Sequence, residues 1–295
     1  MSVETSAEPL QGPSGDRDEP LHVVLRRLVA AVDAGQALPA YLHAAGAAQI
    51  VADRLQGTVV RPRLLAATAT AARGRTGLAA WHVLLRDLTV VLAEAAVSGS
   101  EQETAAILLS VRSSIDGLRR GMSGLAARWH SGALIRLPTA FEKRGLGPQD
   151  ALALADGFAG LRPDRDRPLL VLGLRSSGAY LAPLVAAALG RLDYRHVVTR
   201  TTRAGGPLLP EEPGLPEAVR RVGGLVLPVG APPRTGSSLA TVIATLAGIG
   251  FAAGRILPVY PALDEGDRPP VMLHGHTVVA LPASRWAHRK GSDEG

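Results

Sequence analysis

Two short stretches of this chain join small residues, hydroxyls and an arginine: RSSG, at Arg175, Ser176, Ser177 and Gly178, and RTGSS, at Arg234, Thr235, Gly236, Ser237 and Ser238. Each follows an apolar run of strand type, VLGL or LVLPV, and each opens an apolar helical pattern. Small residues let backbone N–H groups approach an anion, a helix N-terminus has unpaired donors, and a guanidinium adds a fixed charge. The chemistry served by such turns is phosphate binding. Either turn alone reads equally well as a capped helix start. Two of them in one sheet point to a ligand with phosphate at both ends.

Other reactive groupings are weaker. His274 and His276 lie two apart in MLHGHTVV and would share one face of a strand, and so a metal, if a third ligand stood near. None is evident, so a turn-and-strand position is the reading and no protein-held metal is expected. Asp264, Glu265 and Asp267 in PALDEGDRPP read as a solvated acidic turn, and Trp286 as an aromatic capping the core. There is no G-x-S-x-G elbow and no G-x-x-x-x-G-K-[ST] loop, which argues against a hydrolase of that type and a nucleotide kinase. No residue is identified as catalytic.

The elements that must hold the two turns follow from periodicity. From residue 147 onward strand and helix patterns alternate: a helix in GPQDALALADGFAGL, then PLLVLGL, SGAYLAPLVAAALG, YRHVVTR, a long loop, LVLPV, SSLATVIATLAGIG, RILPVYPAL and HTVVALP. Strands alternating with helices of about a dozen residues predict an α/β unit, a parallel sheet with flanking helices. Ligands of such sheets bind beyond the carboxyl ends of the strands, where both turns fall. Pro228 lies inside LVLPV, although proline cannot donate to a ladder.

Before this unit the pattern is helical. Apolar stripes run through Leu78, Trp81, Leu85, Leu88 and Leu92, and through Leu108, Val111, Ile115, Leu118, Met122, Leu125 and Trp129. Ser100 and Glu103 form a capping-box signature at the start of the second stripe. Shorter helices are predicted within 21–33, 39–55 and 61–72. The expected organisation is a disordered leader over 1–19, an all-α helical bundle over 20–131, the α/β unit over 132–289 and a flexible tail over 290–295. The apolar stripes permit packing within the chain or homo-oligomerisation through the helical region.

Composition narrows the class. The chain of 295 residues is 46% hydrophobic and only 3% aromatic, so its core is built from Ala, Leu and Val. The net charge of +6 is spread along the sequence without a dense basic block, so nucleic acid is not the expected partner. Cysteine is absent, which removes disulfides and thiolate chemistry and fits a cytoplasmic setting. The acidic, polar N-terminal stretch is no signal peptide, and Arg86, Asp87 and Glu94 interrupt the most apolar window, which argues against a membrane span.

On these residues the chain resembles the type I phosphoribosyltransferases (PRTases), which use phosphoribosyl pyrophosphate (PRPP). LVLPV followed by RTGSS is similar to the family's PRPP motif, and VLGLRSSGA to its pyrophosphate loop; the likeness covers about residues 133–285. It implies a PRTase-like fold and a glycosyltransferase acting in nucleotide metabolism. Arg234, Thr235, Gly236, Ser237 and Ser238 would hold a 5′-phosphate. Arg175, Ser176, Ser177 and Gly178 would face a pyrophosphate and the Mg²⁺ that it carries. The segment TRTTRAGGPLLPEEPGLPEAVRR occupies the place of the family's mobile catalytic loop, and also reads as a long surface loop. The family's acidic pair falls on Gly230 and Ala231, whose side chains accept no hydrogen bond from a ribose hydroxyl. This departure opens a second reading: a non-catalytic PRTase-fold module for ligand sensing or assembly.

Overall fold

Five apolar runs in the second half of the chain pair into one parallel sheet. The computed structural model describes residues 19–60, 69–128, 134–135, 141, 145–209, 212–230, 235–262 and 269–287. The leader, residues 61–68 with most of the helix expected within 61–72, the acidic turn with Asp264, Glu265 and Asp267, the tail, and both Ala231 and Arg234 lie outside them.

The chain enters through β1 (Glu19–Pro20) and five helices: α1 (Leu21–Asp33), α2 (Ala37–Val60), α3 (Ala69–Val97), α4 (Glu101–Ser110) and α5 (Arg112–Arg128). β2 (Leu134–Ile135) pairs antiparallel with β1, joining the two ends of the helical region. Then follow α6 (Pro148–Leu161), β3 (Leu169–Leu174), α7 (Gly178–Arg191), β4 (Val197–Thr202), α8 (Leu215–Arg221), β5 (Leu225–Val229), α9 (Ser237–Gly248), β6 (Val259–Pro261) and β7 (Val279–Leu281). The sheet order is β4-β3-β5-β6-β7 with every pairing parallel. The expected α/β unit with flanking helices is thus observed.

Every residue of β3 and β5 is buried, and successive side chains point to opposite faces of the sheet. Leu169, Val171, Leu225, Leu227 and Val229 face the cluster that holds α7 and the helical region, while Leu170, Leu172, Leu174 and Val226 face the cluster of α9 and Val219 of α8. The expected boundary near Gly132 lies outside the described residues, and one apolar core joins the helical region to the sheet: Leu85 and Leu92 of α3 belong to one cluster with Leu181 and Val185 of α7. Tyr41 of α2 is fully buried and donates its hydroxyl proton to the Tyr180 carbonyl.

Local signals are read with small corrections. The second apolar stripe is not one helix: it breaks at Val111, between α4 and α5. Only half of the expected capping box forms. Ser100 Oγ accepts from the Glu103 amide at 3.4 Å, but the Glu103 carboxylate takes the Ser98 hydroxyl at 2.6 Å and Arg191 at 3.3 Å. Asp150 at the start of α6 serves two amides, accepting from Gly147 N at 2.9 Å and from Ala287 N at 2.8 Å, and so ties that helix to the end of the unit. Pro228 does sit within a central strand. It pairs with Leu172 on the β3 side, whereas contact with β6 is reduced to a Val226–Ile256 bridge and the Val229–Val259 pair, with no proline donor between them.

Two buried histidines make stability pH-dependent. Burial, and then the nearby Arg27, lower the pKa of His43 from 6.5 to about 4. Burial, then Arg175, Arg86 and Arg200, do the same for His82. Both are neutral in the folded chain and take up protons more readily when unfolded, so their contribution is complete above pH 6.5 and falls away as pH drops towards 4. Each is expected to remove about 2 kcal/mol by about pH 5. Urea unfolding of wild type and His43→Gln at both ends of this range checks it: the variant should lose part of the pH slope.

Candidate functional site

In a sheet of this order the connections on either side of the first and third strands leave in opposite directions, opening a crevice at their carboxyl ends. Here those strands are β3 and β5, which pair directly, Gly173 opposite Val229. The turn after β3 carries Arg175, Ser176 and Ser177 into α7, and the turn after β5 leads through Thr235 and Gly236 into α9. The two predicted turns, about sixty residues apart in sequence, therefore leave neighbouring strands, the first into α7 on one face of the sheet and the second into α9 on the other.

Close backbone approach sets this geometry. A Cβ on Gly178 would lie 2.3 Å from the Val229 carbonyl oxygen, and one on Gly173 would lie 2.3 Å from the Gly178 carbonyl oxygen. The first residue of α7 thus rests directly on β3 and β5. The Arg175–Ser176 peptide is cis. The Ser176 and Ser177 carbonyls accept from the first amides of α7, and no side chain caps that helix. The second turn needs glycine for another reason: Gly236 has φ +81°, and a Cβ there would press on Leu273 and Pro270.

The hydroxyls of the second turn are exposed and bonded to one another. Thr235 Oγ1 lies 3.3 Å from Ser237 Oγ and accepts from Ser237 N at 3.4 Å. The Thr235 carbonyl is held by Met272 N at 3.3 Å, so the segment 270–273 buttresses the turn from behind. Ser238 is exposed beside them.

Arg175 is placed differently from a free cation at a loop tip. Its side chain is only 3% exposed and is bonded to Asp53 of α2 at 2.8 Å and to Thr201 Oγ1 of β4 at 3.2 Å. Asp53 also accepts from Arg203, at the start of the loop after β4. The helical region thus reaches into the edge of the crevice with a carboxylate. The acid lies on the β4 side. At Gly230, on the β5 side, a Cβ would meet the Leu239 side chain at 3.6 Å, so an acid there would start against α9.

The loop after β4 is pinned at two places. Leu209 is buried in the cluster of α9, and Glu212 is clamped by Arg200 at 2.7 and 3.1 Å and by Arg86 of α3 at 2.7 Å. These arginines hold the Glu212 carboxyl below its usual range against the opposing effect of burial. Sequence reasoning missed Asp53, Arg86 and Glu212, because nothing local marks a charge whose partner is distant.

The remaining candidates are structural in surroundings. His274 Nε2 donates to the Pro269 carbonyl at 3.0 Å within a turn, and among the described residues no group of three His, Asp or Glu could hold a metal. Trp286 is buried and donates to the Leu281 carbonyl at 3.2 Å. Among the described residues no helix is long and apolar enough to cross a membrane. No family model, curated protein or solved structure matches this chain.

Proposed function

We propose that the crevice between β3 and β5 binds a phosphorylated small molecule, PRPP or a nucleoside or sugar phosphate, in the manner of a phosphoribosyltransferase. The observation that supports this is the adjacency of the two anion-type turns on directly paired strands at the point where the connections diverge. Thr235, Gly236, Ser237 and Ser238 take a terminal phosphate. Ser176, Ser177 and Gly178 offer backbone and hydroxyl donors to a diphosphate. Arg175 backs that loop through its bonds to Asp53 and Thr201. The described residues supply no carboxylate cluster for Mg²⁺, so the ion would arrive on the diphosphate and neutralise its charge.

A second reading has its own support. Arg175 is already paired, and Gly230 presents no carboxylate to a ribose, so the ligand is held without phosphoribosyl transfer and the chain acts as a sensor or assembly module. Calorimetric titration with PRPP, with and without Mg²⁺, addresses both. Thr235→Ala combined with Ser237→Ala should weaken the ligand at least about tenfold while leaving stability within about 0.5 kcal/mol, since both side chains are exposed. Unchanged affinity in this variant would place the phosphate elsewhere. Absence of any PRPP or nucleotide binding would end both readings, and tight binding with no PRPP consumption across a panel of nucleobases and amines would select the second.

A further inference from the structure

Apart from the crevice, a cavity of about 50 Å³ lies between the helical region and the edge of the sheet, enclosed by α2, α3, α7, β4 and the loop after it. A single water needs roughly 10–15 Å³ by this measure, so the space admits several waters or one compact organic molecule. Its walls are mostly apolar, with Ala48, Val90, Ala179 and Pro183 from three helices and Leu209 from the loop.

Five uncharged polar side chains break this lining; Thr89 is bonded to the Leu85 carbonyl and Thr201 to Arg175, which leaves Gln49, Thr199 and His82. Gln49 Oε1 and Thr199 Oγ1 are buried there with no hydrogen-bond partner, and Thr199 is only 7% exposed. Unpartnered buried polar atoms are costly and uncommon, and two around one void ask for an occupant that completes them. His82, the third, is a neutral imidazole offering one donor and one acceptor. The charged groups at the rim are matched already: Glu212 is held by both Arg86 and Arg200. An ionic ligand would have to break that clamp, whereas an uncharged one need not.

We infer that this cavity is a binding site for a small uncharged molecule carrying a hydrogen-bond donor and an acceptor on a compact apolar body, a primary carboxamide being the simplest case. Gln49 Oε1 accepts from the ligand N–H, and the Thr199 hydroxyl donates to its carbonyl. Thr201, which also lines the cavity, accepts from Arg175, so the occupant sits beside the ion pair that joins α2 to the sheet. The site stands on its own lining and does not depend on phosphate binding at the crevice.

Protein-observed NMR titration of the full chain with acetamide, propanamide and isobutyramide, against the matched carboxylates and amines, tests it. Saturable shifts confined to the residues around Gln49 and Thr199, with the amide bound at least about tenfold more tightly than its charged analogues, are expected. Gln49→Leu combined with Thr199→Val should lower amide affinity about tenfold. Ala48→Leu, which fills the void and keeps both polar groups, should abolish it. A cavity holding only water, giving no saturable shifts at any soluble amide concentration, would overturn the inference. So would tighter binding of the carboxylate, or amide affinity unchanged in Ala48→Leu.

Discussion

Gly173→Ala is expected to destabilise the chain by about 3 kcal/mol or more, and Gly178→Ala by a similar amount, and under the proposed function phosphate binding is lost alongside. At Gly173 an added methyl would sit 2.3 Å from Gly178 O, 2.8 Å from Gly178 C and 2.9 Å from Ala182 Cβ. At Gly178 it would sit 2.3 Å from Val229 O. These are backbone atoms of β5 or of the first residue of α7, together with the Ala182 Cβ, which has no rotamer to adopt, so nothing can swing aside; α7 must lift from the sheet. Lifting α7 widens the crevice, so stability and the site are coupled at these two positions. Gly160→Ala is the control: it lies in α6 with no atom within 4 Å of the added carbon, and should gain up to about 1 kcal/mol from helix propensity. Urea midpoints of the three variants measure the contrast. A Gly173→Ala midpoint equal to wild type would mean that the helix does not rest on β3 as described.

Asp53→Asn should cost about 2–3 kcal/mol, less than the loss for a wholly buried pair because Asp53 is 27% exposed. The loss arises mainly from Arg175, whose side chain is 3% exposed and would keep its charge with only Thr201 as partner. Pairing Asp53→Leu with Arg175→Met should recover most of the stability, since removing both charges also removes the desolvation that they entail. If the single and double variants are equally unstable, the ion pair is not what joins α2 to β3. Under the proposed function the same substitution has a second outcome: Asp53→Asn releases Arg175 towards the crevice, and affinity for a phosphate ester rises. Calorimetry on Asp53→Asn reads this independently of the unfolding midpoint.

Much of the fold was legible because its signals are local. LVLPV becomes β5 at the residues read, SSLATVIATLAGIG becomes α9 but stops at Gly248, two residues short of the reading, and α1 spans the predicted 21–33, because an apolar run or stripe and its flanking Gly, Pro or Ser lie within one window. Where the local signal was spread thin the reading ran long. RILPVYPAL and HTVVALP contribute strands of only three residues each; beside β6, Pro228 of β5 gives no donor, and the ladder between those two strands stays short. The single stripe from Leu108 to Trp129 concealed a break at Val111, because side-chain periodicity continues through a brief irregular turn.

The sequence by itself determined that two turns of small and hydroxyl residues each follow a strand and open a helix. It also determined that glycine and alanine stand where the resembled family carries acids. Only the tertiary structure decided that the two strands are neighbours, because strand order is set by non-local packing. It likewise decided that Arg175 is held by a carboxylate 122 residues away, and that Gln49 of α2 and Thr199 of β4 face one void. Spacing and residue type encode what a segment can offer. Which groups meet depends on how the buried faces of α2, α3 and α7 close against the sheet, and that closure is a property of the packed core as a whole.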